Sequence, residues 1–376
     1  MTQLRDIVRI EASSKNVIGD KFWLLNLDMV EQQTGNIIDY NYVGKDALNG
    51  SIIQFDTGCV LYSKLRPNLN KVVIPMQDGF ATSEMLPLRP NTKVLTREYL
   101  TVFLRSDSFV TWAVSKTAGA KMPRLGTTEL LNKEISLPSL SEQTRIAGQF
   151  AKIDELITLR KEQLAKLDQL VKSRFMELFS NCGHGSSKVL LEEISEFVTV
   201  GIANSATHAY ADSGIAMLRN QNIKENYLDE NDLIYITPDF AKKYGSKQLV
   251  ENDILVIRTG YPGVACLVPK KFEGCQTFTT LIVRLKDSTS AHANYVCHYI
   301  NSSFGKDYVE QSKVGVAQQN FGAKALAKMP IVIPSMELQK EYASFVEQTD
   351  KSKLTIQQSL NKLELLKKSL MQEYFG

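Results

Sequence analysis

A chain of 376 residues is long enough for two domains with cores of their own, and 43% hydrophobic with 23% charged residues is the balance of an ordinary soluble protein. No run reaches the ~18 uncharged apolar residues of a membrane-spanning helix, and the opening MTQLRDIVRIEASSKN, with Arg5, Asp6, Arg9 and Glu11, lacks a signal-peptide apolar stretch, so a cytoplasmic protein is expected. A net charge of +3 is too small to make the whole surface attractive to polyanions, so any nucleic-acid surface must be local.

Residues 1–138 alternate short strand-like runs such as GCVLYS and KVVIP with turn clusters, which predicts a compact α/β domain with a twisted sheet. Two windows in it, 57–77 and 108–128, contain no acid. The first holds LYSKLRPNLNK, offering Lys64, Arg66, Asn68, Asn70 and Lys71 around a turn at Pro67. The second holds KTAGAKMPR, with Lys116, Lys121 and Arg124.

The run EISLP ends at Pro138, because proline blocks further strand pairing. Ser139 with Glu142 then makes a capping-box signature. From there to Phe179 no proline intervenes, and Gly148 is the only helix-weakening residue. Apolar residues recur every seven positions at Phe150, Ile157, Leu164, Val171 and Leu178, with Ile146, Ile153 and Leu167 as a companion series. The pattern predicts one helix of about 40 residues, far beyond the ~11–12 of an average helix.

After a polar linker, SNCGHGSS, residues 184–334 repeat the strand-and-turn texture with DILVIR and TLIVRL. VGIANSATHAY offers Asn204, Ser205, Thr207 and His208, and LRNQNIKEN offers Arg219, Asn220, Gln221, Asn222 and Lys224. Two further acid-free windows, 254–272 and 311–336, fall where the first half has its own. They carry LVIRTGYPG (Arg258, Thr259, Tyr261) and KVGVAQQNFG (Lys313, Gln318, Gln319, Asn320). Each of the four windows holds three cations in a chain with 41 acids, as phosphate-facing loops would. Arg, Asn and Gln are also the side chains able to read guanine or adenine edges bidentately.

An offset of 196 aligns 135–180 with 331–376 without a gap. Pro138/Pro334, Gln143/Gln339, Ala147/Ala343, Asp154/Asp350, Leu164/Leu360, Leu167/Leu363, Leu170/Leu366 and Phe179/Phe375 are identical pairs, and Gly126/Gly322 and Leu130/Leu326 extend the match upstream. A period of this size means duplication rather than a solenoid. The second helix keeps Ile356, Leu360, Leu363, Leu366 and Leu370, but Thr349 and Lys353 interrupt it, so its first half is expected to pack less tightly. Both helices are charge-balanced, seven basic to six acidic over 141–180 and six to six over 335–376. A helix laid along phosphates would be strongly basic, so these two are expected to bind each other through Phe150, Ile157, Leu164, Leu167, Val171, Leu178, Ile356, Leu360, Leu363 and Leu370.

The expected architecture is α+β: two α/β domains (1–138 and 184–334), each followed by a long helix (139–183 and 335–376). The helices would pack as an antiparallel coiled coil with pseudo-two-fold, circular symmetry. At ~1.5 Å per residue such a helix spans ~60 Å, a spacer suited to holding two heads apart along a duplex. Motifs for chemistry are missing: there is no G-x-x-x-x-G-K-[ST], H-E-x-x-H or G-x-S-x-G, and four histidines and five scattered cysteines lack metal spacing.

LPSLSEQTRIAGQFAKIDELI and its echo at 333–353 resemble the spacer regions of specificity subunits of Type I restriction-modification systems. KVLLEEISEFVTVGIANSATHAY, GIAMLRNQNIKEN and LYSKLRPNLNKVVIP are similar to their target-recognition domains. The second copy departs from the first at Leu338 and Tyr342, where Glu142 and Ile146 stand. The resemblance implies a DNA-binding scaffold with no catalytic activity alone, each head reading half of a split, asymmetric site on double-stranded DNA. It implies two methyltransferase subunits carrying S-adenosylmethionine and two motor–nuclease subunits using ATP and Mg, with no cofactor bound by this chain. Two alternatives stand beside it: a self-sufficient nuclease with a cryptic site, and an interaction scaffold that does not touch DNA.

Overall fold

The structure, a computed structural model, describes residues 1–13, 19–48, 51–119, 121–180, 182, 188–203, 206–288, 290–313 and 320–376. It divides into two compact units, Met1–Glu162 with Ile356–Gly376, and Gln163–Thr355. Each long helix therefore lends one half to each unit.

In the first unit one sheet runs in the order Val8–Ile10, Met85–Pro90, Val60–Ser63, Val72–Val73, all neighbours antiparallel. Its strand Val60–Ser63 is buried on both faces. Alternation along a strand sends Val60 and Tyr62 into one core, with Tyr99, Phe103 and Phe109 from the helices Arg97–Arg105 and Asp107–Ser115. Cys59 and Leu61 enter a second core with Trp23, Phe55 and Met85. That core lies under another sheet, ordered Tyr42–Val43, Phe22–Leu25, Gly79–Thr82, Ile52–Phe55, in which Phe22–Leu25 and Gly79–Thr82 are parallel.

The second unit repeats the scheme. Ser195–Val200, Leu281–Leu285, Ile254–Val256 and Ala265–Leu267 form the antiparallel sheet in the same order. Ile254 and Val256 face the helices Ala293–Asn301 and Ser303–Ser312, while Leu255 faces the other way. The other sheet differs at its outer strand. Ile215–Leu218 keeps a parallel partner, Gln276–Thr277, and an antiparallel one, Ile234–Ile236. The fourth strand, Tyr210–Ala211, pairs with Ile234–Ile236, whereas in the first unit Ile52–Phe55 pairs with Gly79–Thr82. The heads thus share one sheet and its helices and diverge in the other, and the α+β reading holds.

The long helices are Leu140–Phe179 and Met336–Phe375. Each start is capped alike: the Ser139 hydroxyl accepts from the Glu142 amide and the Ser335 hydroxyl from the Leu338 amide, both at 3.3 Å. The expected capping box is only half formed, because the Glu142 carboxylate pairs with Arg145 at 2.6 and 2.8 Å instead of reaching back. Within each unit the two helix segments run antiparallel. Asp154 meets Lys367 (2.6 Å), and Phe150 packs on Tyr374 and Phe375 in the first. In the second, Asp168 meets Lys353 (2.7 Å), Arg174 meets Glu341 (2.6 Å), and Phe175 and Phe179 pack on Tyr342.

Of the residues expected between the helices, Phe150, Val171 and Leu360 are buried, and Ile157, Leu164, Leu167, Leu178, Ile356, Leu363 and Leu370 half-buried. Phe150 and Leu370 also belong to the core of the first head, so the helix ends serve their domains as well as each other. One expectation fails: the first half of the second helix is not loosely packed. Tyr342, Val346 and Thr349 are 0%, 4% and 6% exposed. Thr349 satisfies its hydroxyl on the Phe345 carbonyl (2.9 Å), and Lys353 reaches Asp168, so neither polar residue opens the seam.

Candidate nucleic-acid interface

In the first unit the two acid-free windows meet. Leu65 forms a β-bridge with Arg124, the Arg66 amide donates to Pro123 O (2.8 Å), and the Leu125 amide donates to Lys64 O (2.9 Å). The turn Pro67–Leu69 is bracketed by Arg66 and Asn70, both left-handed with φ near 50°. Arg66, Asn68, Lys121 and Arg124 are exposed and Lys64 half-buried. Arg124 is held by the Glu84 carboxylate through Nε at 3.1 and 3.2 Å. Asn70 and Lys71 turn inward: Asn70 Nδ2 donates to Arg105 O (3.1 Å), and Lys71 Nζ donates to Leu27 O. Burial lowers the Lys71 pKa, and the charge of Asp28 partly offsets it. These two side chains fasten the turn rather than present it.

The second unit builds the same junction. Thr259 bridges Asn320, and the Phe321 amide donates to Arg258 O (2.9 Å). Arg258 Nε donates to Asn320 Oδ1 (3.0 Å), and Asn220 Nδ2 lies 3.3 Å from both Thr259 O and Oγ1. Three polar segments far apart in sequence are thus brought together. Tyr261 projects from the loop, 83% exposed. Beside it Gly263 (φ 94°) has no room for a side chain, since a Cβ would sit 2.8 Å from Val309.

Gln221 is exposed, but Asn222 is buried and braces its own loop. Its Oδ1 accepts from the Arg219 amide (3.0 Å) and its Nδ2 donates to Asp229 O (3.0 Å) and Asn231 O (2.9 Å). The Arg219 guanidinium donates to the Asp232 carbonyl. Thr207 and His208 lie exposed on a separate short turn, with the His208 ring edge-on to Phe240 at 5.3 Å. Ser205, Gln318 and Gln319, like Asn204, lie outside the described residues.

Sequence reasoning overlooked buried polar contacts that brace each head. Gln143 and Gln339, visible in the repeat only as an identical pair, are both fully buried. Gln143 Oε1 accepts from the Thr96 amide (2.9 Å), and its Nε2 donates to Val94 O (2.8 Å) and Pro138 O (3.0 Å). Gln339 makes the matching contacts with the His292 amide (2.8 Å), Ser290 O (2.8 Å) and Pro334 O (2.9 Å). Each amide locks the start of a long helix to the start of the domain helix beside it. A buried Asp–Arg pair recurs too, Asp56 with Arg89 (3.0 Å) and Asp253 with Arg284 (2.7 Å). Burial opposes ionisation of Asp56, yet hydrogen bonds from Arg89, the Gly58 amide and Ser13 outweigh it and hold the pKa at about 2.

Among the described residues no group of three or more His, Cys, Asp or Glu is placed to hold a metal ion, and no helix is long and apolar enough to cross a membrane.

The family model described as Type I restriction modification DNA specificity domain matches residues 8–169 and again 187–365. The EcoDI specificity subunit of a Type I restriction enzyme from Escherichia coli is 27% identical over 183 residues, which is 44% of this chain and 40% of that protein. The MjaVIII specificity subunit from Methanocaldococcus jannaschii is 22% identical over 312 residues, 78% of this chain and 72% of that one. The chain thus spans well under half of the first relative's length and about seven-tenths of the second's. A solved chain from work on complex assembly and conformational transition of the type I R-M system matches with a TM-score of 0.62 at 16% identity, covering 100% of this chain and 96% of that one. A Type-I restriction-modification S subunit from M. genitalium gives a TM-score of 0.60 at 12% identity, covering 100% and 95%.

Proposed function

Because the chain belongs to the family of Type I restriction-modification DNA specificity domains, we propose that it is the sequence-recognition subunit of such a complex, one head reading each half of a split DNA site. The observation that carries this reading is the junction built twice: Leu65 on Arg124 in one unit and Thr259 on Asn320 in the other. Basic, acid-free loops meeting at the same point of two similar frames suit a surface that neutralises phosphates and presents Arg and Asn to base edges.

In this reading the long helices set the unread gap. Two methyltransferase subunits with S-adenosylmethionine and two restriction subunits with ATP and Mg supply the chemistry, while this chain performs none and binds no cofactor. The test is a genome-wide map of methylated bases in cells co-expressing the chain with its modification partner. The expected result is a two-part motif with a fixed gap, methylated only when this chain is present. An uninterrupted motif, or methylation independent of the chain, would refute it.

A further inference from the structure

The two junctions share a backbone frame but not their side chains. The amide after the bridged residue of the second window donates to Lys64 O in the first unit and to Arg258 O in the second: Leu125 to Lys64, Phe321 to Arg258. The bridges Leu65–Arg124 and Thr259–Asn320 follow one residue on. By this register Lys64 occupies the place of Arg258, and Arg124 the place of Asn320. Arg66, the more conspicuous arginine in the sequence, corresponds instead to Gly260.

Building on the recognition-subunit reading, we propose that Arg258 is a guanine-reading residue of the second head, with Asn320 as the residue that positions it. Arg258 Nε is occupied by Asn320 Oδ1, which fixes the plane of the guanidinium and leaves Nη1 and Nη2 as a fork of donors. Among the described residues no carboxylate pairs with Arg258, whereas Arg124 in the first unit is held by Glu84. The backbone under the fork is rigid. The Ile257 amide donates to Val264 O (2.8 Å), the Gly263 amide donates to Ile257 O (2.9 Å), and Asn220 holds Thr259. A preoriented fork loses less conformational freedom on binding than a loose side chain.

The chemistry selects the base. In the major groove only guanine offers two adjacent acceptors, O6 and N7, to a pair of donors. Adenine sets its N6 donor beside N7, cytosine shows a donor, and thymine shows one acceptor and a methyl group. At the same place the first head carries Lys64, a point charge without a fork, beside an arginine already occupied. That head therefore does not read guanine from this position, and Lys64 acts there on phosphate.

The test begins with methylated motifs mapped for the wild type and for Arg258→Ala, Arg258→Lys, Asn320→Ala and Lys64→Ala, each co-expressed with the modification partner. Arg258→Ala relaxes one guanine position of one half-site, leaving the other half-site and the gap unchanged. Arg258→Lys and Asn320→Ala relax the same position more weakly, and they carry the test should Arg258→Ala fold poorly. Lys64→Ala lowers methylation at all sites without changing the motif. In binding assays with the purified modification complex, 7-deazaguanine at that position removes N7 alone. It weakens the wild type by roughly 5- to 100-fold and leaves Arg258→Ala indifferent. A two-part motif left intact at every position by all three Arg258 and Asn320 variants would overturn the assignment while sparing the recognition-subunit reading. A wild-type chain that yields no two-part motif overturns both.

Discussion

Replacing Gln143 with Met keeps the length of a side chain that is fully buried and deletes its three hydrogen bonds. The Thr96 amide, Val94 O and Pro138 O, all in part-buried contacts, then lose their partner. A buried polar group left unpaired costs about 1–3 kcal/mol, and partial relaxation keeps the sum below simple addition. A loss of about 3–5 kcal/mol is therefore expected, large against the ~5–15 kcal/mol of a typical domain and equivalent to a fall of roughly 10 °C in Tm. Gln339→Met should cost the second unit a similar amount, since its contacts match at 2.8, 2.8 and 2.9 Å. Urea unfolding measures the free energy, and amide hydrogen exchange at Thr96 and His292 reports each clamp separately without assuming two-state behaviour. A loss below about 1 kcal/mol with undiminished protection of the Thr96 amide would show that the helix start is held by apolar packing alone.

Removing one heptad from each long helix (residues 161–167 and 354–360) should shorten the recognised gap by about three base pairs, since seven residues rise ~10 Å; methylation mapping that shows altered half-sites instead would end the spacer idea. Lys121→Ala, which removes an exposed cation, should weaken DNA binding alike for all sequences and reduce the slope of log affinity against log salt by about one. Stability should also depend on His298, which is buried 2.9 Å from the Tyr342 hydroxyl. Burial, then the charge of Lys353, pushes its pKa down to about 3 against a small opposing effect of Glu225. The unfolded chain takes up this proton near pH 6.5 and the folded one does not, so stability is full above that pH and falls as pH drops towards 3, by up to about 1.4 kcal/mol per unit. His298→Gln should flatten this fall between pH 6.5 and 5, and denaturant midpoints equally pH-dependent in both proteins would refute the assignment.

The long helices were legible because their signal is local and repeated: a serine start, no interior proline, and apolar residues every seven positions. The duplication was legible for the same reason, and with it the matching places of the four acid-free windows. Polar runs were less readable. Nothing in LRNQNIKEN tells that Asn222 turns inward to brace the loop while Gln221 faces solvent, because that depends on which backbone groups the loop leaves unpaired. Lys71 and Asn70 read as part of a basic loop and instead fasten it to the fold. Thr349 and Lys353 read as breaks in a seam, but a threonine on a helix can bond its own backbone and a lysine can reach a carboxylate across the pair.

Composition, periodicity and the 196-residue offset were enough to establish two similar heads, two long helices and the matching acid-free segments. Tertiary structure decided which side chains in those segments stand together. Arg258 and Asn320 are 62 positions apart and meet at the Thr259–Asn320 bridge, while Gln143 lies nearly 50 positions from Thr96 and Val94 and meets them where two helix starts pack. A pattern of period 3.5 is written in neighbouring residues, whereas a hydrogen bond between distant segments is set by the register of the sheet between them.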